Sequence, residues 1–182
     1  MCEVGCQVTA MLYFAYGSNM SSRRFQARVP SGRQLGVAVL HGHVLAFHKK
    51  SIDGSAKCGL VDTGNPDDRV YGVLYSFDAD QLPQLDLAEG NGYSYHRRTV
   101  EVAPGRGAML QVKCYFAADV SSGLVPYSWY REHVLAGARV AGLPAWYIAQ
   151  ISSIECLDDP DERRHARELS IYENAQANVE NT

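Results

Sequence analysis

Two stretches of this chain carry residues that could do chemistry without a cofactor. In the first, Tyr13-Phe14-Ala15-Tyr16-Gly17-Ser18-Asn19-Met20, an apolar run ends abruptly at Gly-Ser-Asn and a polar, arginine-bearing segment follows. That pattern is a buried strand feeding a glycine turn into a helix. Several backbone N–H groups at such a junction lack partners, so an anion or a carbonyl oxygen can be held there. Gly17 permits φ > 0 and close approach of a ligand, and Ser18 or Asn19 is placed to cap the helix. In the second stretch, Leu85-Asp86-Leu87-Ala88-Glu89-Gly90, Glu89 closes an apolar helical segment, with Tyr93 and Tyr95 just beyond. A carboxylate flanked by leucines and tyrosines is partly desolvated, as a general acid/base requires. On spacing alone each stretch also has a plain reading: a capped strand–turn–helix junction, and a surface glutamate at a helix end.

Other constellations carry less. Ser18 does not sit in a nucleophile elbow, because G-x-S-x-G needs a glycine where Met20 stands. Neither a P-loop nor a dinucleotide-binding glycine pattern is present. Of six histidines, His41 and His43 are two apart and would share a face of a regular strand, as some zinc ligands do. No third ligand follows at a recognisable offset, so no metal is expected. The five cysteines are scattered; Cys58 and Cys114 lie in strand-like runs as small hydrophobes, and Cys2 and Cys6 lack a second zinc-site pair.

These residues need a scaffold, and 182 residues supply one domain with a sizeable core, with room for a helical appendage. A formal charge of -3 argues against a general nucleic-acid binder, which needs a basic face. No run approaches the roughly 18 apolar residues of a membrane span. The first ten residues lack the basic start of a signal peptide, so the expected location is cytoplasmic. Met11 could equally serve as the start codon, leaving residues 1–10 as an N-terminal extension.

The elements follow from periodicity and punctuation. Asn19 or Ser21 begins a short helix with Arg23, Arg24 and Arg28 that ends near Pro30. Gln34 to Phe47 reads as two strand-like runs that meet at His41-Gly42-His43, with Gly42 as a bulge or bend within one long strand. A short strand (Cys58 to Asp62) and a well-patterned one (Val70 to Phe77) follow. Asp78 or Asp80 caps a short helix with Leu82, Leu85 and Ala88 as its apolar stripe and Gly90 as its C-terminal glycine. Tyr95 to Val102 and Met109 to Ala117 are strands. Tyr127 to Ala141 is a helix, Gly142-Leu143-Pro144 breaks it, and another runs to about Cys156. Asp158 to Tyr172 suggests a charged, solvent-facing helix, and the tail from Glu173 is polar. Six to seven strands with surrounding helices predict an α+β fold built on a small mixed β-barrel.

Tyr13-Phe14-Ala15-Tyr16-Gly17-Ser18-Asn19, together with Asp86-x-x-Glu89-Gly90 and Tyr95, resembles the γ-glutamylcyclotransferase family of the AIG2-like superfamily. Val70-Tyr71-Gly72-Val73 and the segment from Gly137 to Pro144 add to the likeness, which spans residues 11–156. Outside it lie the extension 1–10 and the charged helical tail 157–182. The resemblance implies release of 5-oxoproline from a small-molecule γ-glutamyl substrate, with no metal or organic cofactor, no nucleic acid and no membrane; a homodimer is compatible with it. It implies Glu89 as general acid/base, the backbone of Gly17, Ser18 and Asn19 as substrate-binding groups, and Tyr16, Tyr95 and Tyr130 as pocket-lining tyrosines.

Family members differ in the leaving group. The glutathione branch typically reads Tyr-Gly-Ser-Leu at the turn, so Asn19 favours simple γ-glutamyl amino acids or γ-glutamyl amines. Two other readings stand beside this one: a non-catalytic γ-glutamyl-binding module, and a biosynthetic enzyme that removes a γ-glutamyl protecting group.

Overall fold

The structure is a computed structural model that describes residues 9–173. Cys2, Cys6, most of the expected extension and the last residues of the expected tail lie outside them. Among the described residues, seven strands and five helices follow one another: β1 (Ala10–Ala15), α1 (Ser22–Arg28), β2 (Arg33–His41), β3 (His43–Lys50), β4 (Ala56–Asp62) and β5 (Arg69–Asp78). They continue as α2 (Leu82–Glu89), β6 (Tyr95–Pro104), β7 (Leu110–Ala117), α3 (Ser128–Ala141), α4 (Ala145–Ser152) and α5 (Glu162–Glu173).

The expected α+β barrel is present, with its strands divided differently. Five strands close a barrel in the order β1-β5-β2-β6-β7, while β3 and β4 form a separate two-stranded sheet. Neighbours in the barrel run antiparallel except β1 and β7, which close it in parallel at Tyr13 and Lys113. The long strand expected from Gln34 to Phe47 is broken at Gly42, whose φ of 73° is open to glycine and strained for other residues. Gly42 donates to Asp68 O and accepts from Thr63, which ends β2 in the barrel and sends β3 away to pair with β4. The bulge falls earlier, at Gly36, where the register of β2 against β5 shifts. His41 and His43 therefore end one strand and begin another, and no metal-holding cluster of His, Cys, Asp or Glu occurs among the described residues.

Tyr13, Phe14 and Ala15 of β1 are buried, and α1 drops Phe25 against Tyr75 (ring centroids 4.2 Å apart) and Tyr13 (5.3 Å). A fully buried phenylalanine contributes about 1.5–3 kcal/mol by area alone. Helix α3 buries Trp129, Tyr130, His133, Val134, Gly137 and Ala138 along one stripe. That stripe lies on the turn after β1. A Cβ placed on Gly137 would sit 2.3 Å from the backbone of Met20 and Ser21. Gly142, at φ 73°, ends α3 where the sequence predicts the break.

Helix α5 is not simply solvent-facing. Glu168 pairs with Arg24 at 2.8 Å, Ile171 O accepts from Arg23, and the Tyr172 hydroxyl donates to Ser21 Oγ at 3.1 Å. The charges on α5 complement arginines on α1, a relation that the periodicity of α5 alone cannot reveal.

Candidate active site

The turn after β1 and the end of α2 meet at one cleft of about 260 Å³, lined by Tyr16, Gly17, Ser18, Asn19, Glu89, Tyr95 and Tyr130 among others. Every site residue expected from the sequence thus lies on one wall or another of the same cleft.

The turn itself is a 3₁₀ segment, Ser18–Met20, followed by α1 with Ser21 as its N-cap residue. Two local expectations fail there. Neither Ser18 nor Asn19 makes a side-chain cap bond. Gly17 has φ of -116°, so positive φ is not why glycine stands there. Space is the reason: a Cβ would lie 3.1 Å from Cys58 Cβ and 3.4 Å from the Tyr130 hydroxyl.

Asn19 spends its side chain on the acid. Its Nδ2 donates to Glu89 Oε1 at 2.8 Å and to the Tyr13 hydroxyl at 3.1 Å. Arg28 Nη1 donates to Asn19 Oδ1 at 2.9 Å and to Glu89 Oε1 at 2.8 Å. Glu89, with its side chain 14% exposed, is thus held by one oxygen from two donors. No described protein group bonds Oε2. Charge-assisted bonds of this kind are among the stronger ones available.

Asp86 fixes the helix that carries Glu89. It is one turn earlier on α2, accepts from the Tyr115 hydroxyl at 2.7 Å and pairs with Arg97. Two barrel strands thereby hold α2, and Gly90 at φ 61° turns the chain away immediately after the acid. The Asp-x-x-Glu spacing places both carboxylates on one helix face, one for structure and one for the cleft.

The three expected tyrosines are well bonded to backbone. Tyr16 donates to Tyr115 O at 2.5 Å, Tyr95 donates to Cys58 O at 2.9 Å, and Tyr130 accepts from Cys58 N at 3.0 Å. Burial raises the pKa of all three, so they stay neutral. Tyr95 and Tyr130 hold the two ends of the Cys58 residue and so set the wall that faces Gly17. Burial also pushes the Cys58 thiol up to about 12, which makes it an inert wall residue.

Arg28, Lys49 and Lys57 line the same cleft and were not singled out from the sequence. Arg28 could have been found from its place one helix after the turn; nothing in the spacing marks the two lysines. Lys57 pairs with Asp53 at 2.9 Å and lies 4.1 Å from the Trp129 ring centroid. Its pKa is lowered by burial, against the pull of Asp53.

Fold and cleft together define a small α+β barrel protein with an anchored carboxylate in a tyrosine-lined pocket. Comparison with known proteins gives that class a family. Residues 69–151 match the model of the AIG2-like family. Human γ-glutamylcyclotransferase is 31% identical over 150 residues, covering 80% of this chain and 79% of that one. The mouse protein of the same name is 29% identical over 160 residues, covering 85% of each. A solved structure described as a γ-glutamyl cyclotransferase superposes with a TM-score of 0.76 at 29% identity, over 82% of this chain and 90% of that one. The chain belongs to the γ-glutamylcyclotransferase family and is an enzyme of that type.

Proposed function

We propose that the protein releases 5-oxoproline and a free amino acid or amine from a γ-glutamyl compound, with Glu89 as general acid/base. The observation that carries this reading is Glu89, in the lining of the cleft, with Oε1 held at 2.8 Å by both Asn19 and Arg28 and no described protein group on Oε2. The substrate's own α-nitrogen attacks its γ-carbonyl carbon and closes a five-membered ring. The reaction is intramolecular, so the protein's first task is to hold a folded conformer. Of the three hydrogens on the α-ammonium, the lactam nitrogen keeps one. The other two end on the leaving nitrogen, which departs as an ammonium when the amide C–N bond breaks. Glu89 relays them, work worth roughly 10²–10⁴-fold. Backbone N–H groups of Gly17, Ser18 and Asn19 hold the glutamyl carboxylate or the developing oxyanion. Tyr16, Tyr95 and Tyr130 shape the wall around it.

The test is Glu89→Gln. The variant is expected to fold as the wild type does and to release no 5-oxoproline from γ-Glu-Ala or a γ-glutamyl amine. Full activity would take Glu89 out of the mechanism.

A further inference from the structure

Four cationic side chains line the cleft, Arg24, Arg28, Lys49 and Lys57, against one carboxylate, Glu89. Three of the four have a carboxylate partner within 3 Å: Arg24 has Glu168, Arg28 has Glu89 and Lys57 has Asp53. Lys49 has none within 4.0 Å among the described residues. Its Nζ makes one long hydrogen bond, 3.3 Å to Ser94 Oγ, and lies 5.3 Å from the Tyr95 ring centroid. Yet the residue is only 7% exposed. Lys49 follows a register shift of β3 against β4 between Phe47 and Lys49, near the edge where Val120 bridges to it. An ammonium left in such a place without a counter-charge is costly, and an anion entering the cleft would relieve that cost. Burial lowers its pKa, while Asp53, Glu89 and Asp119 act at longer range to keep it charged.

A γ-glutamyl amine carries an ammonium and a carboxylate and is neutral overall, whereas a γ-glutamyl amino acid carries one further carboxylate. We infer that Lys49 is a specificity-determining residue that binds the free carboxylate of a leaving amino acid and so sets how strongly the cleft prefers γ-glutamyl amino acids over γ-glutamyl amines. This rests on the cyclotransferase reading of the cleft.

γ-Glu-Ala and γ-glutamylethylamide differ in that one carboxylate and test the inference directly. Wild-type kcat/KM is expected to favour γ-Glu-Ala by about 10–100-fold, the span of one charge-assisted hydrogen bond. Lys49→Met should bring the ratio near unity, mainly through KM for γ-Glu-Ala, and Lys49→Arg should restore part of it. An unchanged ratio overturns the inference. So does an equal loss on both substrates, which would put Lys49 against the glutamyl half instead. Should the wild type release no 5-oxoproline from either compound, the cyclotransferase reading falls. Calorimetric binding of the same two compounds to wild type and Lys49→Met then decides, and equal affinities overturn the role of Lys49.

Discussion

Asn19 Nδ2 and Glu89 Oε1, seventy residues apart in the chain, are 2.8 Å apart in the cleft. The bond ties the turn that follows β1 to the helix that precedes β6. The same asparagine accepts from Arg28, so turn, helix α1 and acid form one hydrogen-bonded triangle. Its members are of little use singly. In the proposed mechanism a turn without the acid has nothing to move a proton, and an acid without the turn has no fixed direction.

Asn19→Ala should therefore weaken catalysis more than binding. The substitution removes a buried donor to Glu89 and an acceptor for Arg28, at a cost of about 1–3 kcal/mol in stability. Steady-state kinetics on γ-Glu-Ala should show kcat down by about 10–100-fold with a smaller change in KM. A loss confined to KM would show that Asn19 binds substrate and does not orient the acid.

Gly137→Ala offers a test far from the substrate. Its Cβ would meet Met20 C and Ser21 N at 2.3 Å, and backbone cannot swing aside as a flexible side chain can. Overpacking of this kind typically costs about 1–3 kcal/mol. Thermal unfolding should show the lower stability. Because the displaced atoms belong to the turn, 5-oxoproline release should fall in the protein that remains folded.

Stability should decline on acidification in two steps. Burial lowers the pKa of His133, wholly buried against Trp129 and Tyr172 with Arg24 and Glu168 at its ring nitrogen, below its ordinary 6.5. The folded protein then binds fewer protons than the unfolded chain, so this contribution is complete above pH 6.5 and shrinks below it. Hydrogen bonding to His133, with Arg24 adding its own bond and charge, holds the Glu168 carboxyl at about 2, against 4.5 ordinarily. That contribution is complete above pH 4.5 and is lost as pH falls toward 2. Melting temperatures from pH 8 to 3 should trace both steps, and Glu168→Gln should remove the lower one. A flat profile between pH 7 and 5 would contradict the assignment to His133.

Strand β5 and helices α2 and α3 were legible because pattern and punctuation agree in each. Gly90 and Gly142 end helices where glycine is expected to end them. The junction of β2 and β3 at Gly42 was legible, but their separation into two sheets was not. A positive φ at Gly42 can either bulge a strand or terminate it, and the choice depends on Asp68 and Thr63, which lie far along the chain. Glu89 and the Tyr-Gly-Ser-Asn turn could be picked out as motifs, whereas Arg28 read only as a charged residue on a short helix. Its role appears once the fold brings residues 19, 28 and 89 together. Lys49 is less legible still, since what marks it is a missing partner, and only packing shows which charges go unpaired.

The parallel contact of β1 with β7 has a consequence for the order in which the molecule comes into being. The first and last strands of the barrel must meet before it is closed, so the pairing joins residues as distant as Tyr13 and Lys113 and cannot be made early in synthesis. The turn of residues 17–19 leaves the ribosome long before its acid, and the acid before the glycine of α3 that supports the turn from behind. Until residues beyond 137 are available, β1 lacks the helix that backs the turn after it. During that interval its protection falls to the early antiparallel pairing of β1 with β5 and to Phe25 folded over them, and a substitution there would show first in the yield of soluble chain.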